Sequence, residues 1–519
     1  MMLLMRLFAP VLVFLVTSAA IGATIHVDDD AALGGDGQSW SSAFRYLQDA
    51  LAAADVDPGI TEIRVAGGVY KPDQDEAGRC QLGNPAAFFD TRGGLSISGG
   101  YRGLTAGGDP DDHDPEAFET VLSGDLNGDD APGFLNRSDN SRIVISTSGV
   151  EADAVLQGLT IASAFGAVGG GGLMNTNGAP TIRNCTFRDN HGAWGGAIHS
   201  VGDDRLNAVD CTFINNRASN GGGAAMITAD ADFVNCRFLA NHSYHNGGAV
   251  LSQASILIAN CVFVGNLAGF EYGRCEGSPE GLGGAICQNE GDLTAVNCVF
   301  SHNFASETGG GVFLQQVDQA QVGNCIFYLN RRCAGIHNFG GAYSNYSLTY
   351  CCIETDWPGE HNIDADPLFA REPGPGADQR WGTPDDDYGV LRLLPESPCI
   401  DAGDNDVVPD DLLDMDADGD LAEYLPVDAG GLLRFANRLG TVDTGNGSPP
   451  IVDIGAYEYQ CTGDLDGDGV VDLSDLATLL SNYGQCQNVL YQAGDLDGDG
   501  AVNLADLACL LSVYGTICD

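Results

Sequence analysis

Two nearly identical stretches stand close to the end of the chain, DLDGDGVVDLSD at 464–475 and DLDGDGAVNLAD at 495–506. Calcium is a hard cation that collects about six to eight oxygens, and a calcium loop supplies them from positions 1, 3, 5, 9 and 12 together with the carbonyl of position 7. Glycine at position 6 makes the sharp turn. In the first stretch these positions are Asp464, Asp466, Asp468, the Val470 carbonyl, Asp472 and Asp475, with Gly469 at the turn. In the second they are Asp495, Asp497, Asp499, the Ala501 carbonyl, Asn503 and Asp506, with Gly500. Two full matches in tandem predict two Ca2+ sites. A third stretch, DMDADGD, sets Asp414, Asp416 and Asp418 at the same spacing, but Leu425 stands where the closing carboxylate belongs, so calcium there is left open.

Elsewhere the ionisable residues offer acid–base chemistry without a visible centre. Polysaccharide cleavage needs either two or three carboxylates spaced for acid and base work or calcium-holding carboxylates beside an arginine base. Asp189, Asp203, Asp204, Glu271, Glu276, Glu280 and Glu307 are available, with Arg188, Arg205, Arg331 and Arg332, yet their phases in the repeat described next differ. His191, His245, His302 and His337 lack paired metal spacing and read as corner or surface residues. No nucleophile elbow, phosphate loop or zinc pair is visible.

What must position these residues is a repeat. Cys185, Cys211, Cys236, Cys261, Cys298, Cys325 and Cys351 follow one another at 25 to 27 residues, with one longer step across 261–298. Two places after the first six stand Phe187, Phe213, Phe238, Phe263, Phe300 and Phe327, and five places after them Asn190, Asn216, Asn241, Asn266, Asn303 and Asn330. Asn or Asp precedes each of these six cysteines, and glycine pairs begin at Gly195, Gly221, Gly247, Gly283, Gly309 and Gly340. The units are rich in Gly, Asn and β-branched residues and carry no long run at helical spacing, which excludes helical repeats. A coil of three short strands with tight corners uses such a unit and advances by the spacing of paired strands, about 4.8 Å. The expected fold is therefore all-β, a right-handed parallel β-helix in which like residues stack over like. Cysteine and phenylalanine, two apart on one strand, share the inner face.

The residues carry a resemblance. GGAI at 195–198 and 283–286, with F-x-x-N at 187–190 and its five successors, is similar to the repeats of polymorphic outer membrane proteins and to the wider pectate-lyase-like group. The likeness spans about 150–355 and implies fold more than activity. Residues 24–149 are expected to form the N-terminal cap and first coils, with serines able to cap a helix that carries Phe44, Leu47, Leu51 and Ala54 on one face, followed by the strand TEIRVAGGVY. The order resembles the opening of secreted bacterial β-helix proteins. DADPLF, LLPESPCIDAGD and VDIGAYEY at 356–460 resemble a terminal segment that closes the stack. Residues 461–519, where each calcium loop runs into LATLLSNYG or LACLLSVYG, resemble a type I dockerin, a small α-helical module. That resemblance implies calcium-dependent folding and a cohesin-like partner. Partner choice in the family leans on loop positions ten and eleven, often small hydroxyl residues; here they are Leu473–Ser474 and Leu504–Ala505.

Composition narrows the setting. Acidic residues outnumber basic ones 72 to 22, for a formal net charge of -50, with Lys71 the only lysine. Such a surface repels nucleic acid and anionic membranes. Arg6, the apolar LFAPVLVFLV and the small residues up to Ala23 read as an export signal over 1–23, and no later stretch reaches membrane-spanning length. A secreted or cell-surface location follows. Of the 17 cysteines, those of the repeat read mainly as buried hydrophobes; disulfides are expected instead for Cys275 with Cys287, Cys461 with Cys486 and Cys509 with Cys518, while Cys80, Cys333, Cys352 and Cys399 have no evident partner. The functional expectation is an exported calcium-binding β-helix protein that engages polysaccharide and is attached through its C-terminal module. Cleavage by a polysaccharide lyase or O-glycosyl hydrolase stands beside a non-catalytic adhesin or an envelope structural protein.

Overall fold

A computed structural model describes residues 22–515, apart from 105–106, 150–153, 167–168, 270–280, 343–344, 356, 417–418, 437–441, 461–462, 466–469, 486–493, 495 and 497–501. The export signal lies outside the described residues. The repeat winds into three long sheets of 11, 10 and 9 strands whose neighbours are parallel, and the β-helix expectation holds. One coil shows the plan: strand Thr181–Arg183 lies in the first sheet, Thr186–Arg188 in the second and Ile198–Val201 in the third. A short strand, His191–Trp194, adds a fourth sheet of 7 strands that the three-strand expectation omitted. Backbone groups stacked at a strand's spacing pair rather than stay orphaned, so even this brief connection becomes a ladder.

Residues in register make three columns. Phe187, Phe213, Phe238, Phe263, Phe300 and Phe327 pair strand to strand, and their rings stack at 4.5 to 5.2 Å between centroids. The seven repeat cysteines are buried free thiols beside them, each donating to carbonyls of its own and the preceding coil, as Cys236 does to Val234 and Ala208. Burial pushes the Cys185, Cys211 and Cys236 thiols well above their ordinary range, so they stay protonated. The asparagines form the third column. Asn241 Nδ2 donates to Asn266 Oδ1 at 3.0 Å and to the Phe213 carbonyl at 2.8 Å, and the same pattern runs from Asn190 to Asn330.

Corners follow from backbone chemistry. Asn184, Asp210, Asn235, Asn260, Asn297 and Asn324, each just before its cysteine, adopt φ of 49 to 54°, the left-handed region that Asn and Asp tolerate best. At the next corner the residue before the column asparagine takes that conformation, as Asp189 and Asn215 do. At the glycine corner Gly195, Gly222, Gly247, Gly283 and Gly309 have positive φ, and a Cβ on Gly248 would collide with the Gly284 carbonyl oxygen. The triplet at 221–223 therefore registers through Gly222–Gly223, and the pair at Gly340 lies within strand Phe339–Ala342.

The N-terminal end is covered by helix α1 (Leu47–Val56), whose Leu47, Ala50, Leu51 and Ala54 enter the main core. The serines do not cap it. They form a 3-10 turn at Trp40–Ser42, after which Phe44 bridges Val27 and the unassisted Tyr46 is the N-cap. Strand Ile60–Ala66 then pairs between Ala23–Val27 and Ser96–Tyr101. At the far end Trp357 packs on the core and Ile363 pairs with Cys352.

Beyond that point the segment to 460 lies along the flank of the coils. Phe369, Leu391, Leu393, Ile400, Ile454 and Ala456 pack on the outward Leu239, Val262, Val264, Val299 and Ile326, and Val408, Leu425 and Val452 pack on Val234 and Ala259. Polar contacts fix the register: Asn260 Nδ2 donates to the Val427 carbonyl at 2.7 Å, and the Asp404 N–H donates to Asn324 Oδ1 at 2.7 Å. Arg434, fully buried, donates to the Gly455 and Ala456 carbonyls and to Asn260 Oδ1, and pairs with Glu458 at 3.2 Å. Beside it, burial pushes the Asp453 carboxyl up to about 7.

Cysteine pairing departs from expectation. Cys287 is a buried free thiol and Cys509 a half-buried one, so neither the 275–287 nor the 509–518 bridge forms. Cys287 sits in an apolar row with Met226, Leu251 and Phe313, where packing is its role. Cys333, with no evident partner in sequence, is disulfide-bonded. Cys461 and Cys486 lie outside the described residues.

Candidate functional site

Two regions bring chemistry-bearing groups together. The C-terminal module repeats a loop and a ten-residue helix, α2 (Leu473–Asn482) and α3 (Leu504–Val513). Asp472 caps α2 by accepting the Ser474 N–H, and Asp475 reaches back to accept the Asp472 N–H; Asn503 and Asp506 do the same for α3. These reciprocal caps satisfy amides that a helix start leaves open. Asp475 is fully buried, with Oδ1 accepting the Leu465 N–H at 2.6 Å and Oδ2 the Asp472 N–H at 2.7 Å. Asp506 repeats this with Leu496 and Asn503, each at 2.7 Å. The position-12 carboxylates are thereby turned back onto their own loops.

Of the twelve expected calcium ligands, Asp464, Val470, Asp472, Asp475, Asn503 and Asp506 lie among the described residues. Asp466, Asp468, Asp495, Asp497, Asp499 and Ala501 lie outside them. The donor set is all oxygen, with carboxylates at its start and end, which suits a hard cation and calcium in particular. Leu465, Val471, Leu479, Val502 and Leu510 make a small core between the halves, and the Gly515 N–H donates to the Val471 carbonyl as the Gly484 N–H does to that of Val502. Leu476 and Leu507 border this core, but Leu480 and Leu511 are exposed. Leu473 and Leu504, at loop position ten, are each 68% exposed, and Tyr483 and Tyr514 are exposed as well.

The second region is on the fourth face of the coils. Trp194 is 39% and Phe165 37% exposed, and Phe165 stacks on His191 at 4.8 Å. The guanidinium groups of Arg137 and Arg217 both lie over the Phe134 ring, 4.3 and 4.1 Å from its centroid. Burial, with Arg217 and Arg137 nearby, holds the His191 imidazole down at about 4, so it is neutral. His191 Nε2 meets Ser219 Oγ at 3.1 Å. Aromatic rings beside two cations thus gather on a chain of net charge -50. Phe134, Phe165, Trp194, Arg137 and Arg217 were not candidates in sequence, since Phe134 and Arg137 come from one loop and the other three from separate coils.

Of the residues singled out in sequence, His191, Arg188 and Asp189 adjoin this patch. Arg188 lies 3.6 Å from Glu119 and 3.7 Å from Asp189, and Asn215 Nδ2 donates to Asp189 Oδ1 at 2.6 Å. The others are scattered. Asp203 and Asp204 are exposed, Arg205 pairs with Asp230 and Asp232, and Glu307 and His245 are exposed at corners. Arg331 and Arg332 form a short strand of the fourth sheet, His302 faces Trp381 and His337 accepts the Gly309 N–H. Glu271, Glu276 and Glu280 lie outside the described residues.

Residues 138–277 and 170–353 match the family model of the right handed beta helix region, and residues 462–512 match that of the dockerin type I domain. This is a parallel β-helix protein with a dockerin module at its C-terminal end. Among solved structures, the crystal structure of pectate lyase Pel9A aligns over 85% of this chain and 98% of its own, at 12% identity and a TM-score of 0.38. No curated protein matches the sequence. Among the described residues no helix is long and apolar enough to cross a membrane.

Proposed function

We propose that this is an exported β-helix protein that engages polysaccharide along its coils and is held in an assembly or on a surface through its dockerin module, loaded with calcium. The observation that carries this reading is the module itself: a dockerin type I match whose two halves both turn a leucine outward at loop position ten. Exposed apolar side chains in matched positions on a small acidic module suit a protein partner of cohesin type that buries them. The twelve loop ligands named above hold the calcium, and its charge offsets the repulsion among their carboxylates.

The polysaccharide reading draws on the open aromatic patch. Trp194 and Phe165 present partly exposed rings for the apolar side of a sugar, and Arg217 supplies local positive charge for an acidic one, while the buried Arg137 is taken up by Asp130 at 3.5 Å. Catalytic cleavage is a further step. A non-catalytic adhesin or envelope role is favoured by the pairing of Arg188 with both Glu119 and Asp189, which ties these carboxylates into ion pairs.

Titration of acidic and neutral polysaccharides against the full chain, with and without calcium, tests the reading. Binding that weakens at least tenfold in Trp194→Ala is expected. No binding and no product with any polysaccharide ends the carbohydrate reading. For the module, calorimetry should show calcium uptake lost in Asp464→Ala plus Asp495→Ala, and unchanged uptake refutes the ligand assignment.

A further inference from the structure

The segment on the flank holds a second cluster of carboxylates, apart from the module. One oxygen each of Asp411, Asp416 and Glu423 lie within 4.8 Å of one another. Asp411 is fully buried, and its Oδ2 accepts the Met415 N–H at 2.7 Å. Its Oδ1 is enclosed with no hydrogen-bond partner. A buried carboxylate oxygen without a donor is costly, and costlier beside two more carboxylates.

We propose that Asp411, Asp416 and Glu423 bind a calcium ion that fastens this loop to the side of the β-helix. Three carboxylates and no nitrogen or sulfur donor select a hard cation, and a site assembled from residues far apart in a loop has the adaptable geometry of calcium rather than the strict octahedron of magnesium. The sequence pointed nearby with the wrong frame. A loop begun at Asp414 would end at Leu425, which is buried in apolar packing, whereas the closing carboxylates come from Asp411 before that frame and Glu423 within it. The backbone brings these two together, since the Asp411 N–H donates to the Glu423 carbonyl at 2.8 Å. Leu413 and Met415, between the ligands, pack with Val234 and Ala259 of the coils, and Arg183 Nη2 donates to the Leu413 carbonyl at 3.1 Å. An ion at this point holds the loop in the shape that makes those contacts.

The test uses the full chain carrying Asp464→Ala and Asp495→Ala, so that this site is read apart from the module loops. After chelation and exchange into metal-free buffer, titration with calcium chloride should show one equivalent of uptake that is abolished by Asp411→Asn and weakened at least tenfold by Glu423→Gln. Thermal unfolding gives a second readout of opposite sign. Asp411→Asn should lower the midpoint in calcium and leave it equal or higher in chelator, because without the ion it removes one of three crowded charges. Uptake that persists in Asp411→Asn, or no uptake in the loop-disabled chain that responds to Asp411→Asn or Glu423→Gln, overturns the proposal. Failure of the module reading shows separately, as uptake in the otherwise unaltered chain that Asp464→Ala plus Asp495→Ala does not reduce.

Discussion

Replacing Asn241 with alanine probes the amide column in the middle of the stack. Its Oδ1 accepts the Asn216 N–H at 3.1 Å and Asn216 Nδ2 at 3.0 Å, while its Nδ2 donates to the Phe213 carbonyl and to Asn266 Oδ1. After truncation, Asn216 Nδ2 keeps the Phe187 carbonyl and Asn266 Oδ1 keeps the Asn241 N–H. The Asn216 N–H loses its acceptor in a place that water does not reach. One orphaned backbone donor costs about 1–3 kcal/mol, and three further neutral hydrogen bonds about 0.5–1.5 kcal/mol each, for a loss of about 3–7 kcal/mol. Urea unfolding followed by circular dichroism measures it, and amide exchange should rise first in the coils on either side. Asn207→Ala, at a half-exposed strand position, is the control and should cost less than about 0.5 kcal/mol. A loss below about 1 kcal/mol for Asn241→Ala would show that the column is replaceable by simple packing and refute the reasoning.

Other perturbations follow from the same geometry. Phe238→Ala empties a place between rings at 4.7 and 4.5 Å and should lower stability by about 3–5 kcal/mol in the same urea assay. Gly248→Ala drives a Cβ into the Gly284 carbonyl and should yield chain that fails to elute as folded monomer, whereas Gly374→Ala, which faces open space, should purify normally. His242 is neutral in the fold because burial holds its pKa down at about 4, below an unfolded value near 6.5. The unfolded chain therefore takes up the proton first, and this contribution, present above pH 6.5, is lost as pH falls toward 4. With about 1.4 kcal/mol per pH unit, His242→Gln should flatten the stability profile over that window by about 3 kcal/mol, and an unchanged slope argues against a buried neutral imidazole.

Much of the β-helix was legible because stacking makes one position report on all its copies. A cysteine, phenylalanine or asparagine repeated in phase declares an inner face, and the left-handed residue before each cysteine is a local demand that Asn and Asp meet. The fourth strand was not legible: His191–Trp194 has no pattern of its own and becomes a strand only because the same stretch lies above and below it. Serines 41 and 42 suggested a cap, but pairing of Phe44 with Val27 holds the chain extended until Tyr46. The flank contacts join residues 80 to 230 positions apart, such as Arg183 with Leu413, and no local rule reaches that far. The aromatic patch escaped for a related reason. Phe165, His191 and Arg217 share one register position whose residue type changes from turn to turn, so a reading that rewards repeated residue types passes over it.

The segment from 366 to 458 changes how such a stack can come apart. A solenoid whose units touch only their neighbours melts like a row of dominoes, with free energy spread along one dimension and fraying free to start at either tip. Here Leu413 is tied to Arg183, Val427 to Asn260 and Asp404 to Asn324, so a single stretch of chain grips turns that never touch one another. Loosening the last turn then strains a contact several turns away. The molecule should resist unzipping and break in shear, as one cooperative block, which is a useful trait for a body tethered at one end and pulled along its length.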